Sequence, residues 1–570
     1  MAQNIHYEIF RRRGIGGGWS LVEVRDQRED ALKYAQSLIT GEAVGIKVVK
    51  ETYNDATGDY LSLTIFEHGE KKKAKMRAAQ EDVETSPCFK PDDLYSYHAR
   101  KTIATLLPDF LSRHKVTVTE LEHRADLLEK LEATDTLLQH AIQRVAVVQA
   151  ATGENQLAKI IRTLHDLTTQ AMHRVYRDAE KGKFATIKAG QFLAHAEKLA
   201  GTPEGLYLLN GAIAIYLKET KGWDDKVSRL MGMMAEAQGE SPGAKLLFVA
   251  VDNLISEVLN GSAGLRELIG AKETHGQAVM ALVKLYLGRD PDDAGEREGL
   301  TALTRQFATD NLPNARIAIA QRILAEIRSH KRLCPSSIED EFRMLRQVAN
   351  LVVLGVGKYL SHEDLVTAFV LRSQRLITPE SLAPYLAGVP PDQKLERILF
   401  VEENIIGAEN KRKLADFVAP VLSGTALLEC YQNSKAPLVS RFQQITSLQT
   451  RIKRSGFQEI HRTEICDALD KLAMTLEGKN RLFESIDKKP VSAAEKAVML
   501  IKLMSANTFT NSRMSTKARD MIVAYLSQPG FLAAYANQTA QDPQTAMTDL
   551  MDTLTKAGIP AETCLKNLAA

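Results

Sequence analysis

A change in hydrophobic period divides this chain into two parts. Within about the first 70 residues, apolar and polar residues alternate in the manner of β-strands. In nearly all of the remaining sequence, apolar residues recur every three to four positions, which is typical of amphipathic helices. The sequence therefore predicts a mainly α protein, in which a small N-terminal α/β domain precedes a long multi-helix body built as helical bundles or an irregular α-solenoid.

The first 70 residues, which we call the head, predict the order β-β-α-β-β. The pattern places strand pairs on either side of one helix, with residues 5–9, 19–24, 44–48 and 61–65 as strands and residues 31–39 as the helix. Glycines at 14 and 16–18 and the turn residues 54–59 connect the strands of each pair. We expect the helix to cover one face of a four-stranded antiparallel sheet and to leave the other face available.

Composition shifts divide the rest of the chain. Residues 71–91 are highly charged, contain Pro87 and Pro91, and are predicted to be a linker. Shifts near residues 240 and 389 predict three helical domains, at 92–240, 241–389 and 390–570.

Helix boundaries are marked by capping residues. Pro108 predicts a kink or break, and Thr117 with Glu120 has capping-box spacing, from which an unbroken helix is predicted to about Ala150. A second helix at 157–180 then predicts a helical hairpin. Further starts are predicted after Thr202, Ser337, Ser361, Thr378 and Ser492.

Composition and charge exclude several classes of protein. The 73 basic and 71 acidic residues leave a net charge of +2, so no global field attracts nucleic acid or anionic lipid. The five cysteines are dispersed and never form C-x-x-C, as expected for reduced thiols. No secretory signal is recognisable, and the longest strongly apolar stretch, Gly205 to Leu217, is too short to span a bilayer. We expect a cytoplasmic, bacterial protein without membrane insertion.

No motif predicts catalytic, cofactor-binding or metal-binding residues. Glu120-x-x-His123 has the spacing of di-iron bundles, but such sites need a second copy, so we interpret these residues as solvent-exposed or capping. Gly355 to Lys358 lacks the Ser or Thr of a phosphate-binding loop and is interpreted as a helix end.

Two basic groups are candidate sites for an anionic partner. Arg11, Arg12, Arg13, Lys71, Lys72 and Lys73 would lie on the head or just after it, and Arg441, Arg451, Lys453 and Arg454 would lie on one helix. The favoured interpretation is structural: the first arginines protect an exposed strand edge, the lysines solvate the linker, and the last group is the solvated face of a helix.

The function that these patterns favour is a non-enzymatic scaffold, adaptor or regulatory protein in the cytosol. Its helical surfaces would bind protein partners, with self-association possible, and the head would dock or sense. Two alternatives are a nucleic-acid-binding regulator that uses the local basic patches and an enzyme with an unrecognised site between domains.

Overall fold

The predicted split between a sheet-containing head and a helical body is confirmed. The computed structural model describes residues 5–12, 19–39, 45–54, 59–69, 85–134, 136–152, 156–291, 297–509, 513–539 and 542–559. The protein is mainly α, with 71% of its residues in helices and a four-stranded antiparallel sheet at the N-terminus. The predicted turn glycines, residues 55–58 and most of the predicted linker, including Lys71, Lys72 and Lys73, lie outside the described residues.

The head has the predicted β-β-α-β-β order. It comprises β1 (Ile5–Arg12), β2 (Ser20–Arg25), α1 (Arg28–Ile39), β3 (Gly45–Asn54) and β4 (Asp59–Gly69). The spatial order is β2-β1-β3-β4, and Tyr7 lies opposite both Arg25 and Lys50 in the antiparallel ladders. Ala31 and Ala35, both fully buried, let α1 pack closely on the face that carries Ile9 and Val48.

One interpretation of the head is wrong. Arg11 and Arg12 do not protect an exposed strand edge, because β1 pairs with β2 on one side and with β3 on the other. The chain returns after α1 to add β3 beside β1, which leaves β2 and β4 as the edge strands.

Contacts divide the chain into two compact units. The first comprises Met1–Leu333 and Gln347–Ala368, and the second comprises Cys334–Arg346 and Phe369–Ala570. The predicted division of the body near residues 240 and 389 stays a prediction.

After a short 3-10 helix at Pro91–Tyr95, the first unit continues with a series of helices. They are α2 (Tyr97–Leu106), α3 (Pro108–His114), α4 (Val118–Leu121), α5 (Ala125–Glu132), α6 (Leu137–Thr152), α7 (Leu157–Glu180), α8 (Phe192–Leu199), α9 (Gly205–Leu217), α10 (Trp223–Glu236), α11 (Pro242–Asn260), α12 (Ser262–Ile269), α13 (His275–Tyr286), α14 (Glu298–Ala308) and α15 (Pro313–Arg328).

Two helices, α16 (Ile338–Val352) and α17 (His362–Leu376), contribute residues to both units, and a 3-10 turn at Val353–Gly355 follows α16. The second unit continues with α18 (Pro379–Leu386), α19 (Pro391–Asn404), α20 (Ala408–Ala415), α21 (Ala419–Ser423), α22 (Thr425–Asn433), α23 (Leu438–Arg454), α24 (Glu459–Asn480), α25 (Leu482–Asp487), α26 (Ala493–Ser505), α27 (Arg513–Leu526), α28 (Phe531–Thr539) and α29 (Pro543–Lys556).

Several predicted helix boundaries are confirmed. Pro108 opens α3 directly after α2 ends, and the hydroxyls of Ser361 and Ser492 accept hydrogen bonds from backbone N–H groups three residues later. Gly355 lies in the turn that follows α16, as expected of a helix end. Thr202 lies three residues before the first residue of α9 and does not cap it.

The long helix predicted from Thr117 to about Ala150 is wrong. Thr117 and Glu120 do form the predicted capping box, but the segment is broken into α4, α5 and α6. The Thr134 hydroxyl donates to the Leu131 carbonyl over 2.6 Å, and such local bonds compete with helix continuation. The last of these helices, α6, packs against α7 as the predicted hairpin requires.

The head contacts the first turn of α17 within the first unit. Arg28 Nε lies 2.9 Å from Glu363 Oε1, and the Tyr7 hydroxyl donates to the same carboxylate over 3.4 Å. Lys50, only 3% exposed, places Nζ 3.5 Å from Asp364 Oδ1. These opposite charges fix the α1-covered face of the sheet to the helical body.

Within the described part of the chain, no single helix is both long enough and apolar enough to cross a bilayer. Two pairs of consecutive helices, each pair bent at a short break, are long and apolar enough when the two helices are taken together. They are Pro242–Asn260 with Ser262–Ile269, and Ala408–Ser423 with Thr425–Asn433, and they meet the criterion by length and composition only.

Candidate ligand-binding cavity

A cavity of about 150 Å³ lies inside the bundle formed by α2 and α4–α7. Its wall is mostly aliphatic and is made by Leu, Ile, Val, Ala and Met side chains of these helices. The lining residues run from Leu138 to Gln149 on α6 and from Leu164 to Val175 on α7. Eleven steps along a helix axis correspond to about 16 Å, so the cavity is elongated.

The segment before the first 3-10 helix closes one side of the cavity. Thr85, Ser86 and Cys88 contribute to the wall, and Gln149 Nε2 donates to the Ser86 carbonyl over 3.2 Å. Ser86 is exposed, so this part of the wall borders solvent.

Glu122, in the turn after α4, is the one lining residue with a formal charge among the described residues. Its side chain is only 10% exposed. Arg100 Nε donates to Glu122 Oε2 over 2.7 Å, whereas Glu122 Oε1 is buried and has no hydrogen-bond partner among the described residues. The one charged residue of this apolar wall thus has a hydrogen bond to one carboxylate oxygen, and its other oxygen is buried without a partner among the described residues.

The charge on Glu122 is only partly compensated. Arg100 also lies 3.7 Å from Glu257, so one guanidinium serves two carboxylates. Thr119 supports Glu257 with two donors, the backbone N–H at 2.9 Å and the hydroxyl at 2.5 Å. Burial raises the pKa of Glu122 to about 7, although Arg100 opposes this shift, and the negative charge of Glu257 raises it further.

A second buried acid–base pair lies beside this site, and its carboxylate also keeps one buried oxygen, Glu120 Oε1, without a hydrogen-bond partner among the described residues. Lys226 Nζ is 2.5 Å from Glu120 Oε2 and also donates to the Lys115 carbonyl over 2.6 Å. Both side chains are at most 1% exposed. Thr117 adds its own N–H and hydroxyl as donors to the same carboxylate oxygen. Glu120 therefore fastens α4 to α10.

His123 is buried, so the interpretation of the Glu120-x-x-His123 motif as solvent-exposed is wrong, while the capping role of Glu120 is right. The His123 Nδ1–H donates to the Thr119 carbonyl over 2.7 Å, and the ring packs among Tyr95, Phe184 and Tyr207. Burial lowers the pKa of His123 to about 3, and the charge of Arg100 lowers it as well. The imidazole is neutral at physiological pH.

The charged groups near this end of the bundle are balanced. The carboxylates are Glu120, Glu122, Asp126 and Glu257, and the cations paired with them are Arg100, Arg124, Lys218 and Lys226.

The other ionisable lining residues among the described residues are Cys88 and Tyr95. Burial raises the pKa of both groups above the ordinary values of a thiol and a phenol. Both are therefore protonated near neutral pH.

No group of three or more His, Cys, Asp or Glu side chains that could hold a metal ion occurs within the described part of the chain.

Part of the predicted basic group of the head lies on the sheet. The Arg12 guanidinium lies 4.8 Å from the Trp19 ring centroid, and Lys47 Nζ lies 4.7 Å from the Phe10 ring and 5.3 Å from the Trp19 ring. The Arg11 carbonyl accepts a hydrogen bond from Ser20. Arg13 and the three lysines lie outside the described residues, so the predicted basic edge stays a prediction.

The predicted basic group on α23 is largely engaged in contacts of the second unit. Arg441 donates to the carbonyls of Gln432, Ser434 and Ala436, and Arg451 pairs with Glu396 and Glu403. Lys453 and Arg454 are exposed. The inward positions of Ile445, Leu448 and Ile452 agree with the helix-face interpretation.

Sequence reasoning missed Glu122 and its partners. The segment Glu120 to Arg124 concentrates four ionisable residues directly after a helix cap, which was the available local signal. The assumed continuation of the helix concealed it, because that helix would have left these side chains at the surface.

No protein-family model, curated protein or solved structure matches this chain.

Proposed function

We propose that this protein is a non-enzymatic binding protein of the adaptor type, whose body takes up a small apolar molecule and whose head and helical surfaces contact protein partners, with self-association as one form of that contact. The observation that carries the proposal is the cavity of the α2–α7 bundle, whose mostly aliphatic wall includes Glu122 as the one charged lining residue among the described residues. Pockets that combine an apolar lining with few polar groups are the usual form of small-molecule sites.

The size of the cavity supports this role. An engineered apolar cavity of about 150 Å³ in another protein stays dry and binds benzene. The cavity here has a similar volume of about 150 Å³ and is elongated. A compact or chain-shaped apolar molecule that enters it would therefore gain the free energy of leaving water.

The proposed uptake is tested with n-butylbenzene as a neutral probe on the full chain. We expect saturable binding in calorimetry and a raised unfolding temperature, since a ligand that binds only the folded state stabilises it. Ala171→Phe, which places a ring in the cavity, is expected to abolish binding. Ala158→Phe on an exposed position of the same helix is the matched control and is expected to bind as the parent does. Absence of binding, or equal binding by Ala171→Phe, would refute the proposal.

A second candidate function is single-stranded nucleic acid binding by the head. It is favoured by the cluster of Arg12, Trp19, Lys47 and Phe10, since basic groups beside aromatic rings on a sheet suit phosphates and stacked bases. Leu21 and Val24 on the edge strand β2 are 51% and 44% exposed and extend this surface.

This second function is tested by titrating oligo-dT and measuring Trp fluorescence at increasing salt. Binding should weaken steeply with salt, and Arg12→Ala with Lys47→Ala should reduce it more than Arg412→Ala with Lys413→Ala on the second unit. No fluorescence change at about 50 mM salt would rule this function out.

A further inference from the structure

We infer that the ligand of the cavity is a single-chain amphiphile, bound with its hydrocarbon chain along α6 and α7 and its polar head in solvent at residues 85–88, which we call the mouth. This inference rests on the proposed uptake of a small molecule and assigns the shape and the polarity of that molecule.

The mouth lies at one end of the elongated cavity. Gln149, the last lining residue of α6, donates to the carbonyl of the exposed Ser86 over 3.2 Å. Leu138, the first lining residue of α6, lies eleven steps away along the helix axis, which corresponds to about 16 Å. A ligand that fills the cavity therefore has one end at the mouth and the other end inside the bundle.

On α2 and α7, the exposure of the wall falls with distance from the mouth. The mouth leads through the 3-10 helix into α2, where Ala99 in the first turn is half-buried and Leu106 at the end is buried. On α7, which packs against α6, Thr168 is half-buried and Ala171 is buried. The inner end of the cavity is therefore set deeper in the bundle than the mouth.

The inner part of the wall is aliphatic. Leu106, Ala171 and Met172 line it and are buried. Glu122, the one charged lining residue of the described chain, has Oε1 buried and Oε2 hydrogen-bonded to Arg100. A hydrocarbon chain in the cavity therefore meets apolar side chains over most of its length.

The two ends of the cavity accept different chemical groups. A hydroxyl group that leaves water for apolar surroundings loses free energy unless it finds a hydrogen-bond partner. At the mouth the same group keeps its contact with water, whereas an apolar group there would leave hydrocarbon surface exposed. A molecule with one polar end and one hydrocarbon end meets both conditions.

The length of the chain determines how tightly it is held. Each methylene group that moves from water into the cavity should tighten binding roughly fourfold. The gain should continue until the chain reaches the inner end of the cavity beside Ala171. A compact ring with the same number of carbons spans less of an elongated cavity and makes fewer contacts with its wall.

The test compares four alcohols by calorimetry on the full chain: 1-octanol, 1-decanol, cyclodecanol and 1,10-decanediol. We expect 1-decanol to bind roughly 15-fold more tightly than 1-octanol, because it buries two more methylene groups. Cyclodecanol should bind at least about fivefold more weakly than 1-decanol. The diol should also bind at least about fivefold more weakly, because its second hydroxyl would lie at the apolar inner end.

A variant tests where the chain ends. Ala171→Leu fills part of the inner end and is expected to remove the difference in affinity between 1-decanol and 1-octanol. Ala158→Leu, at an exposed position of the same helix, is the matched control and should keep that difference. An undiminished difference in Ala171→Leu would contradict the inference, because the chain would then not reach the inner end.

Cys88 reports the position of the head. It lines the mouth and is half-buried, so a head group bound there should slow its alkylation by iodoacetamide at least about threefold. Cys466 of the second unit, which is also half-buried, is the control and should react at an unchanged rate. Peptide mass spectrometry measures both rates with and without 1-decanol. An unchanged rate at Cys88 would place the ligand away from the mouth and refute the inference.

The outcomes separate the inference from the proposed function. If cyclodecanol or 1,10-decanediol binds as tightly as 1-decanol, the inference is wrong and uptake of an apolar molecule still stands. The same conclusion holds if n-butylbenzene binds and the four alcohols do not. If none of these probes binds, both are wrong. The comparison of probes and the Cys88 rates use the parent chain, so they decide the inference even if Ala171→Leu does not fold.

Discussion

The buried carboxylates of the second unit and the carboxylate at the cavity of the first unit are held in different ways. In the second unit, three buried glutamates each accept from one cationic side chain and from one backbone N–H group. Glu341 accepts from Arg372 and from the Cys334 N–H. Glu402 accepts from Lys411 and from the Gly456 N–H, and Glu477 accepts from Lys517 and from the Phe483 N–H. Glu122 accepts from Arg100 alone and keeps one oxygen without a partner among the described residues. The carboxylates of the second unit thus connect helices and turns through two kinds of donor, whereas Glu122 has one donor among the described residues.

The same contrast exists inside the first unit, at short range. Glu120 is enclosed by Lys226 and by the capping groups of Thr117, two residues before Glu122 in the chain. Each of these two glutamates keeps one buried oxygen without a hydrogen-bond partner among the described residues. They differ in the number of donors that reach the other oxygen, which is three for Glu120 and one for Glu122.

The largest expected effect on stability comes from breaking a buried ion pair of the second unit. Arg372 is 4% exposed and faces Glu341, which is fully buried. Arg372→Ala removes a cation that faces a buried carboxylate and is expected to lower the free energy of unfolding by about 3–5 kcal/mol, measured by urea denaturation. Arg412→Ala, which breaks an exposed pair with Glu409 in the same unit, should change it by less than about 1 kcal/mol. Similar losses for both variants would contradict the assignment of Glu341 as a closed, structural carboxylate.

Replacing each kind of glutamate by glutamine should give changes of opposite sign. Glu341→Gln removes the charge that Arg372 requires and is expected to cost about 2–3 kcal/mol. Glu122→Gln removes a carboxylate whose burial raises its pKa to about 7, so at pH 8 the variant should be more stable than the parent by about 2–3 kcal/mol.

The pH dependence checks this sign. A carboxyl group whose pKa is raised by folding binds more protons in the folded state than in the unfolded state between about pH 4.5 and pH 7. The parent therefore loses stability as pH rises through this window, and the glutamine variant does not. Urea denaturation at pH 5 and pH 8 should show the advantage of Glu122→Gln at pH 8 and little difference at pH 5. An equal difference at both values would show that Glu122 titrates normally.

The fold was predictable wherever the determining residues are close in sequence. Alternation predicted the strands of the head, and Ser361 and Ser492 predicted helix starts, because a cap acts on the N–H groups of the next turn. The cavity depends on partners that are distant in sequence. Lys226 is 106 residues from Glu120, and Glu257 is 138 residues from Thr119. A local sequence pattern cannot reveal contacts between residues that lie more than 100 positions apart. The sequence therefore placed Glu120 and His123 on the surface of a long helix, which the structure shows to be broken.

The smallest expected effect on stability distinguishes an alanine beside the cavity from an alanine in a filled core. Ala171 lines the cavity, whereas Ala473 of α24 is fully buried in the core of the second unit, in the same cluster as Leu469 and Leu476. Ala171→Leu places added methyl groups in existing space and is expected to stabilise the protein by about 1 kcal/mol. Ala473→Leu must displace packed neighbours and is expected to destabilise it by about 1–3 kcal/mol. Denaturation of the two variants measures both values. A loss for Ala171→Leu as large as that for Ala473→Leu would mean that the bundle has no space for a ligand, because the cost of an added side chain reports whether its position is already occupied.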